Sequence, residues 1–329
     1  MENVHGLFEK FSSLKVGVVG DVMLDTYMWG EVDRISPEAP VPIVALKNKE
    51  YRIGGAGNVA LNLTSLGAKA FVISATGNDE DAEKLHGLFR SQNISTEYCF
   101  ASDKRITTNK TRIISRNQQM MRLDAEVTKD LDGAEEERLI ELFEKFVQTE
   151  KPDIVILEDY NKGVLTEAVI RVVISTCRQA GIITAVDPKR KNFIEYKGVD
   201  IFKPNLKEVK EALNLLFTEV NLAILQNIHL ELSHLLHHQV SFITLSEKGV
   251  FYNQDKKSAI IPSHLRNIAD VSGAGDTVIA VASLVYGATR NVHLMAEIAN
   301  IAGGLVCEEV GTVAIDRQKL LHECELLLS

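Results

Sequence analysis

Cysteine is scarce and scattered. Cys99, Cys177, Cys307 and Cys324 are the only four, and no two form a C-x-x-C pair. That spacing excludes a disulfide framework and a cysteine-rich zinc site, and it fits a reducing, cytoplasmic setting. Long apolar runs are also missing. No stretch approaches the roughly 18 apolar residues of a membrane span. The first ten residues lack the basic region and apolar stretch of a secretory leader. No membrane partner is expected. Positive charge is in deficit: 36 Lys and Arg against 45 Asp and Glu leave a net charge of −9. A general nucleic-acid binder needs a basic face, so that class is excluded, although a small anion held by a few local cations is not. The chain has no G-x-x-x-x-G-K-[ST], no H-E-x-x-H and no G-x-S-x-G, so ATP, if used, is not handled by a P-loop. His234, His237 and His238 form H-x-x-H-H without a nearby carboxylate or cysteine, which reads as a surface cluster rather than a metal site.

What is present is enough for a large core: 329 residues, 45% of them hydrophobic. Short β-branched runs at 15–21, 70–76, 153–160, 182–187 and 241–245 read as buried parallel strands. Helical patterns at 79–92, 134–148, 165–180 and 206–216 alternate with them. Such alternation predicts a parallel sheet with helices on both faces. Two stretches break the pattern. Residues 26–53 contain Pro37, Pro40 and Pro42 and then an extended run, and 96–125 is polar, β-prone and without a helical period. Both read as strands of a small sheet standing off the main one as a lid, with irregular surface loops as the alternative.

The most informative segment is Asp-Val-Ser-Gly-Ala-Gly-Asp-Thr at 270–277, which opens into a strongly apolar helix. A helix N-terminus offers unpaired N–H groups and partial positive charge to an anion. Gly273 and Gly275 let the backbone come close, and Asp276 stands beside the anion, where it can take a proton. Amides for a phosphate and a carboxylate for a hydroxyl suit phosphoryl transfer to an alcohol. A plain helix cap is the competing reading.

Other candidates fall at strand ends and helix starts. Asp21 and Asp25 follow the first strand, where open α/β sheets bind ligands and carboxylates accept from sugar hydroxyls. Gly55, Gly57 and Ala60 match the relaxed dinucleotide fingerprint, with Asp79 and Glu80 about twenty positions on. The fingerprint belongs at the first strand–helix turn, so a dehydrogenase is disfavoured. Those glycines instead bring a helix start to a substrate, with Asn58 offering a donor and an acceptor. Lys110, Arg112 and Arg116 share strand parity, and Arg122 follows. Gathered cations suggest an anionic substrate, while a charged edge strand explains them equally well. Asn205 and Glu208 stand three apart, as a site for Mg²⁺ or its waters, as a capping box, or as both.

These motifs resemble the ribokinase-like sugar kinases. GGAGN and DVSGAGDT are similar to that family's two signatures, and the likeness spans nearly the whole chain. GDVMLD (20–25), RISPEAPVP (34–42), SRNQQ with RLD (115–124), DYNKG (159–163), DPK (187–189) and PNLKE (204–208) resemble the branch that phosphorylates heptose 7-phosphate at C1. The resemblance implies a single three-layer α/β/α domain over 1–329, with a mostly parallel central sheet and a small β lid at about 26–53 and 96–125. It implies Asp276 as the base, Gly273, Ala274 and Gly275 as the anion hole, and Asn205 and Glu208 serving ATP and Mg²⁺. Thr244, Ser246, Gly249 and Asn300 would line the nucleotide pocket, and Asp270 would bear on a monovalent cation, K⁺. Asp21, Asp25, Gly55, Asn58, Lys110 and Asp159 would hold the sugar, and the lid arginines, Arg112 and Arg122, its 7-phosphate. A homodimer through the lid is expected. No H-x-G-H occurs, so the bisphosphate but not the ADP-sugar is the expected product. Two departures stand out. Glu158 replaces an expected small serine, and Gly57 a more usual alanine.

Overall fold

The computed structural model describes residues 4–116, 118–217, 219–255 and 257–328. Its strands are β1 Lys15–Gly20, β2 Val22–Ile35, β3 Pro42–Gly55, β4 Lys69–Gly77, β5 Ser95–Ser102, β6 Asn109–Ser115 and β7 Gln118–Ala125. Then follow β8 Ile154–Glu158, β9 Ile183–Asp187, β10 Ile201–Phe202, β11 Val240–Thr244, β12 Val250–Gln254 and β13 Lys257–Ile261. Nine of them form one sheet in the order β13-β12-β11-β10-β9-β8-β1-β4-β5. It is parallel from β11 to β5, and β12 and β13 pair antiparallel at one edge.

The strands are buried on both faces because both faces are covered. Val16, Val18, Ile154 and Ile156 pack toward helices Ala56–Ser65, Ala274–Thr289 and Val292–Val306. Val19, Val155 and Leu157, of opposite parity, pack toward helices Gly133–Glu150, Glu167–Ala180 and Leu222–Leu236. This is the expected three-layer arrangement, and the side-chain alternation of each strand distributes it.

The lid is a second sheet, ordered β3-β2-β6-β7. β2 and β3 pair antiparallel along nearly their whole length, and β6 runs parallel to β2. β2 is buried at its root and exposed at its tip, as expected of a ribbon leaving the body.

Three expectations need correcting. The start of 96–125, up to Ser102, is not lid, because β5 joins the main sheet beside β4. Its polar look hides the alternation of Tyr98 and Phe100, and Tyr98 packs its ring 5.2 Å from that of Phe146. The helix expected to run to 216 spans only Leu206–Ala212, and Asn214 follows in a left-handed conformation, φ 51°. His234, His237 and His238 are not one surface cluster. His237 caps its helix with φ 52°, whereas His238 is buried and shares the Ser241 hydroxyl with His229. Burial pushes His238 down to about 4, so it is neutral at ordinary pH.

Candidate active site

The helix Ala274–Thr289 is apolar on most sides, and everything from Asp276 to Tyr286 is buried. Its first turn therefore meets the carboxyl ends of the strands in the interior. Gly273 holds the N-cap at φ 78°, and a Cβ there would fall 2.7 Å from Asn58 Nδ2. Only glycine satisfies both constraints. Asn58 and Asn62, on the helix after β3, brace this turn. Asn58 Nδ2 donates to Asp276 Oδ2 at 2.8 Å, and Thr277 Oγ1 donates to Asn62 Oδ1 at 3.1 Å.

Asp276 is 3% exposed. Its other oxygen, Oδ1, accepts from the Tyr160 hydroxyl at 2.7 Å. Burial raises its pKa to about 6, against the pull of the Asn58 and Tyr160 hydrogen bonds. A carboxylate so placed can exchange a proton near neutrality. Of the expected anion-hole residues, Ala274 gives its N–H to the Val271 carbonyl at 3.3 Å. In the helix's first turn, the N–H groups of Gly275 and Asp276 lack the helical acceptor that later residues have.

A line of charge runs from here toward the start of helix Leu206–Ala212. Lys203 Nζ lies 2.8 Å from Asp187 Oδ2, and Lys189 Nζ lies 3.4 Å from Asp187 Oδ1 and 2.7 Å from Glu208 Oε1. Asp187 is raised by burial but held below the usual carboxylate range by the two lysines. Burial works against the Lys189 ammonium, and Asp187 and Glu208 more than reverse it. Asn205 and Glu208 do form a reciprocal capping box: Glu208 N donates to Asn205 Oδ1 at 2.9 Å and Asn205 N to Glu208 Oε2 at 2.8 Å.

Strand register explains the convergence. Gly20, Glu158 and Asp187 are lateral neighbours on β1, β8 and β9, and Lys203 follows β10 at the same level. Glu158 and Asp187 continue the parity that faces Asp276. Glu158 is fully buried, and among the described residues neither carboxylate oxygen has a hydrogen-bond partner. Burial, with the nearby Asp187 and Asp276, pushes it well above the usual carboxylate range.

The remaining nucleotide-side candidates gather beside Asn205. Asn205 bridges to Thr244 at the end of β11. Ser246 (φ 55°) and Gly249 (φ 91°) form the turn into β12. A Cβ on Gly249 would strike the Ile261 carbonyl at 2.0 Å, and Asn300 donates to the neighbouring Pro262 carbonyl at 2.8 Å.

On the opposite side the structure redistributes roles. Asp21 accepts three backbone N–H groups, from Tyr160, Lys162 and Val164 at 2.9–3.0 Å, and so anchors the 160–164 loop instead of offering free acceptors. Asp159 is likewise filled by Asn161 N, Asn192 Nδ2 and the Tyr196 hydroxyl. Asp25 pairs with Arg112 at 2.7 Å and accepts from Thr312 Oγ1 at 3.0 Å. Gly55, at φ 60°, starts its helix where a Cβ would lie 2.4 Å from the Asp21 carbonyl. Lys110 Nζ stands 5.0 Å above the Tyr160 ring. Arg122 faces Arg112 across the β6–β7 ladder and pairs with Asp124. Arg116 sits instead in the turn beyond β6, at φ 50°, and Asn117 of SRNQQ lies outside the described residues. Asp270 ties its own loop to the 310–312 loop, accepting from Ser272 N and Oγ and from Gly311 N.

The dinucleotide alternative fails on geometry. Gly55 ends a lid strand, and Asp79 caps helix Glu80–Ser91 while also accepting from Thr107 N at 2.7 Å. Sequence reasoning passed over Tyr160, Asp187, Lys189 and Lys203 as site residues. The signal was there in Asp187-Pro-Lys189 and in the Lys203 that precedes Pro204-Asn205.

This geometry has counterparts. The model of the pfkB family carbohydrate kinases matches residues 13–319. The chain is 38% identical over 323 residues to the "Bifunctional protein HldE" of Desulfatibacillum aliphaticivorans, covering 97% of this chain and 65% of that one. It is 41% identical over 310 residues to the HldE of Methylobacillus flagellatus, covering 94% and 62%. The chain thus spans less than two thirds of these curated relatives' length. Its fold is similar to Escherichia coli phosphofructokinase-2 in complex with potassium (TM-score 0.78, 18% identity, 95% and 99% covered). It is also similar to Arabidopsis thaliana ribokinase complexed with ribose and ATP (TM-score 0.71, 16%, 94% and 98%). With a buried Asp at a glycine-led helix start and a family match across nearly its whole length, the chain belongs to the pfkB family of carbohydrate kinases and is an ATP-dependent sugar kinase.

Proposed function

We propose that this kinase transfers the γ-phosphoryl group of ATP to the 1-hydroxyl of D-glycero-D-manno-heptose 7-phosphate, giving the 1,7-bisphosphate, an intermediate toward the ADP-heptose of lipopolysaccharide core. The observation that carries the reaction is Asp276, buried, raised to about 6 and already hydrogen-bonded to a hydroxyl, that of Tyr160. The sugar hydroxyl takes such a position, Asp276 receives its proton, and the first-turn amides hold the phosphoryl oxygens. The heptose identity rests on RISPEAPVP, SRNQQ and the HldE relatives. Assay of a panel of sugars and sugar phosphates with ATP tests it. Greater kcat/KM for ribose, fructose 1-phosphate or tagatose 6-phosphate would overturn it.

Mg²⁺ would supply charge neutralisation at the nucleotide phosphates. Both Glu208 oxygens already have partners, and among the described residues no three His, Cys, Asp or Glu side chains lie close enough to hold a metal. Asn205 and Glu208 would hold an ion carried by the nucleotide, through water. Thr244, Ser246, Gly249 and Asn300 would line the nucleotide pocket. A K⁺ dependence at Asp270 would be read as activity in K⁺ against Na⁺.

Lys110 and Arg112, side by side on the inner face of the lid, would take the sugar phosphate, with Arg122 behind them. Lys110→Ala is expected to raise KM for the sugar phosphate at least tenfold and KM for ATP less than twofold. Equal changes in both would count against the assignment. The Asp276 pKa sets the acid side of the pH profile. The base must be ionised, so kcat/KM should fall tenfold per pH unit below about 6. Tyr160→Phe removes a hydrogen bond that lowers the Asp276 pKa, so the limb should move to higher pH; an unmoved limb would assign it to another group.

The lid exposes the apolar side chains of Ile35, Val41, Leu46, Met120, Met121 and Leu123. A second copy of the chain is the proposed cover, lid against lid. Sedimentation should show a dimer that Met121→Glu dissociates; a monomeric parent chain would refute this.

A further inference from the structure

Lys203 is 2% exposed, yet Asp187 is its one ion-pair partner, which leaves two of the three ammonium donors without an acceptor among the described residues. Taking an ammonium out of water costs several kcal/mol, and a single carboxylate shared with Lys189 is poor repayment in structural terms. The place it occupies is informative. The position a Cβ on Gly275 would take lies 3.8 Å from Lys203 Nζ and 3.5 Å from Asp187 Oδ2. The ammonium therefore lies against Gly275, the last residue of the anion hole, where only a glycine leaves the space beside it open. The other groups facing this space are acidic or neutral: Asp276 from the helix, Asp187 from β9 and the unpartnered Glu158 from β8. Lys189 is drawn away toward Glu208, 2.7 Å from its Oε1.

We propose that Lys203 is a catalytic residue whose ammonium forms the floor of the anion hole and binds the transferring phosphoryl group. This inference rests on the reading of Asp276 as the base. In the step, the bond from Pγ to the bridging oxygen of ADP breaks and the bond from the sugar oxygen to Pγ forms. The sugar proton passes to Asp276, and Lys203 keeps all of its protons throughout. Its charge, fixed in place by Asp187, offsets the negative charge on the equatorial oxygens without reorganisation. Asp187 is then a positioning residue that holds one lysine under the phosphoryl site and another on Glu208.

Lys203→Met tests this. Asp187 stays paired with Lys189 in that variant, so the fold should survive. Should it not, the double variant Lys203→Met/Asp187→Asn, which removes both members of the pair, takes its place. The expected result is a kcat lower by about 100-fold, the size of losing one oxyanion contact, with sugar KM changed less than threefold. Affinity for ADP with aluminium fluoride, a mimic of the transferring group, should fall by a similar factor while affinity for ADP alone holds. A folded variant with kcat within threefold of the parent, or an equal loss for ADP with and without the fluoride, would overturn the proposal. If the parent chain phosphorylates no sugar in the panel, the proposed function fails instead, and the two ADP affinities still decide the role of Lys203.

Discussion

Asp276→Asn is expected to lower kcat by three orders of magnitude or more while leaving the affinity for ADP within a fewfold of the parent. The asparagine keeps the side chain's size. Its amide oxygen can still accept from Tyr160 or Asn58, so the first turn of the helix should hold its shape. What disappears is a group that can take a proton. Phosphoryl transfer passes through a loose transition state that asks little of a base, and general-base terms by themselves are worth about 10²–10⁴-fold. The upper part of that range applies because the variant also has a mismatched donor. One end of the new amide is an NH₂ facing either the Tyr160 hydroxyl or the Asn58 amide, and it competes with the sugar hydroxyl for orientation. Single-turnover kinetics with isothermal titration of ADP separates the two quantities. Turnover within tenfold of the parent would remove Asp276 from the base role.

How legible was this site in the sequence? The helix start was plain, because Gly-Ala-Gly-Asp before an apolar run has few structural solutions. Asn205 and Glu208 were legible twice over, since a capping box and a nucleotide-side pair have the same three-residue spacing, and the structure realises the box. Asp21 and Asp159 show the opposite. Asp21 was read as a strand-end carboxylate and Asp159 came from the family resemblance, but what they bond to depends on where the 160–164 loop and Tyr196 arrive. Lys203 and Glu158 were hidden for a related reason. Their meaning comes from lateral register across β8, β9 and β10, residues that lie far apart in the chain. The lid was half legible. Prolines and missing helical periodicity marked β2 and β3, but polarity could not separate β5, whose Tyr98 and Phe100 belong to the main core, from β6 and β7.

The second large effect concerns stability at the root of the lid. Arg112→Ala is expected to destabilise the protein by about 3–5 kcal/mol, the cost of removing one partner from a buried ion pair. The Arg112 side chain is 12% exposed and that of Asp25 is 5%, and Nη1 meets Oδ1 at 2.7 Å. Without the guanidinium, Asp25 retains only the Thr312 hydroxyl among the described residues. The guanidinium also lies over the Tyr27 ring, 5.2 Å from its centroid, with Arg52 at 4.7 Å from the same ring. Tyr27 in turn accepts the Thr312 N–H, so β2, β6 and the 310–312 loop are joined through one pair. The double variant Arg112→Met/Asp25→Asn removes both charges at nearly constant volume and should recover most of the loss, because the penalty belongs to the orphaned carboxylate. Urea unfolding of the parent, Arg112→Met, Asp25→Asn and the double variant gives the coupling energy directly, with Arg112→Ala measured alongside. A double variant no more stable than Arg112→Ala would show that the guanidinium acts by packing on Tyr27. The same four proteins address substrate recognition. If Arg112 also grips the sugar phosphate, the double variant regains its urea midpoint but not its sugar KM, because repairing the buried charge does not restore a cation to the lid.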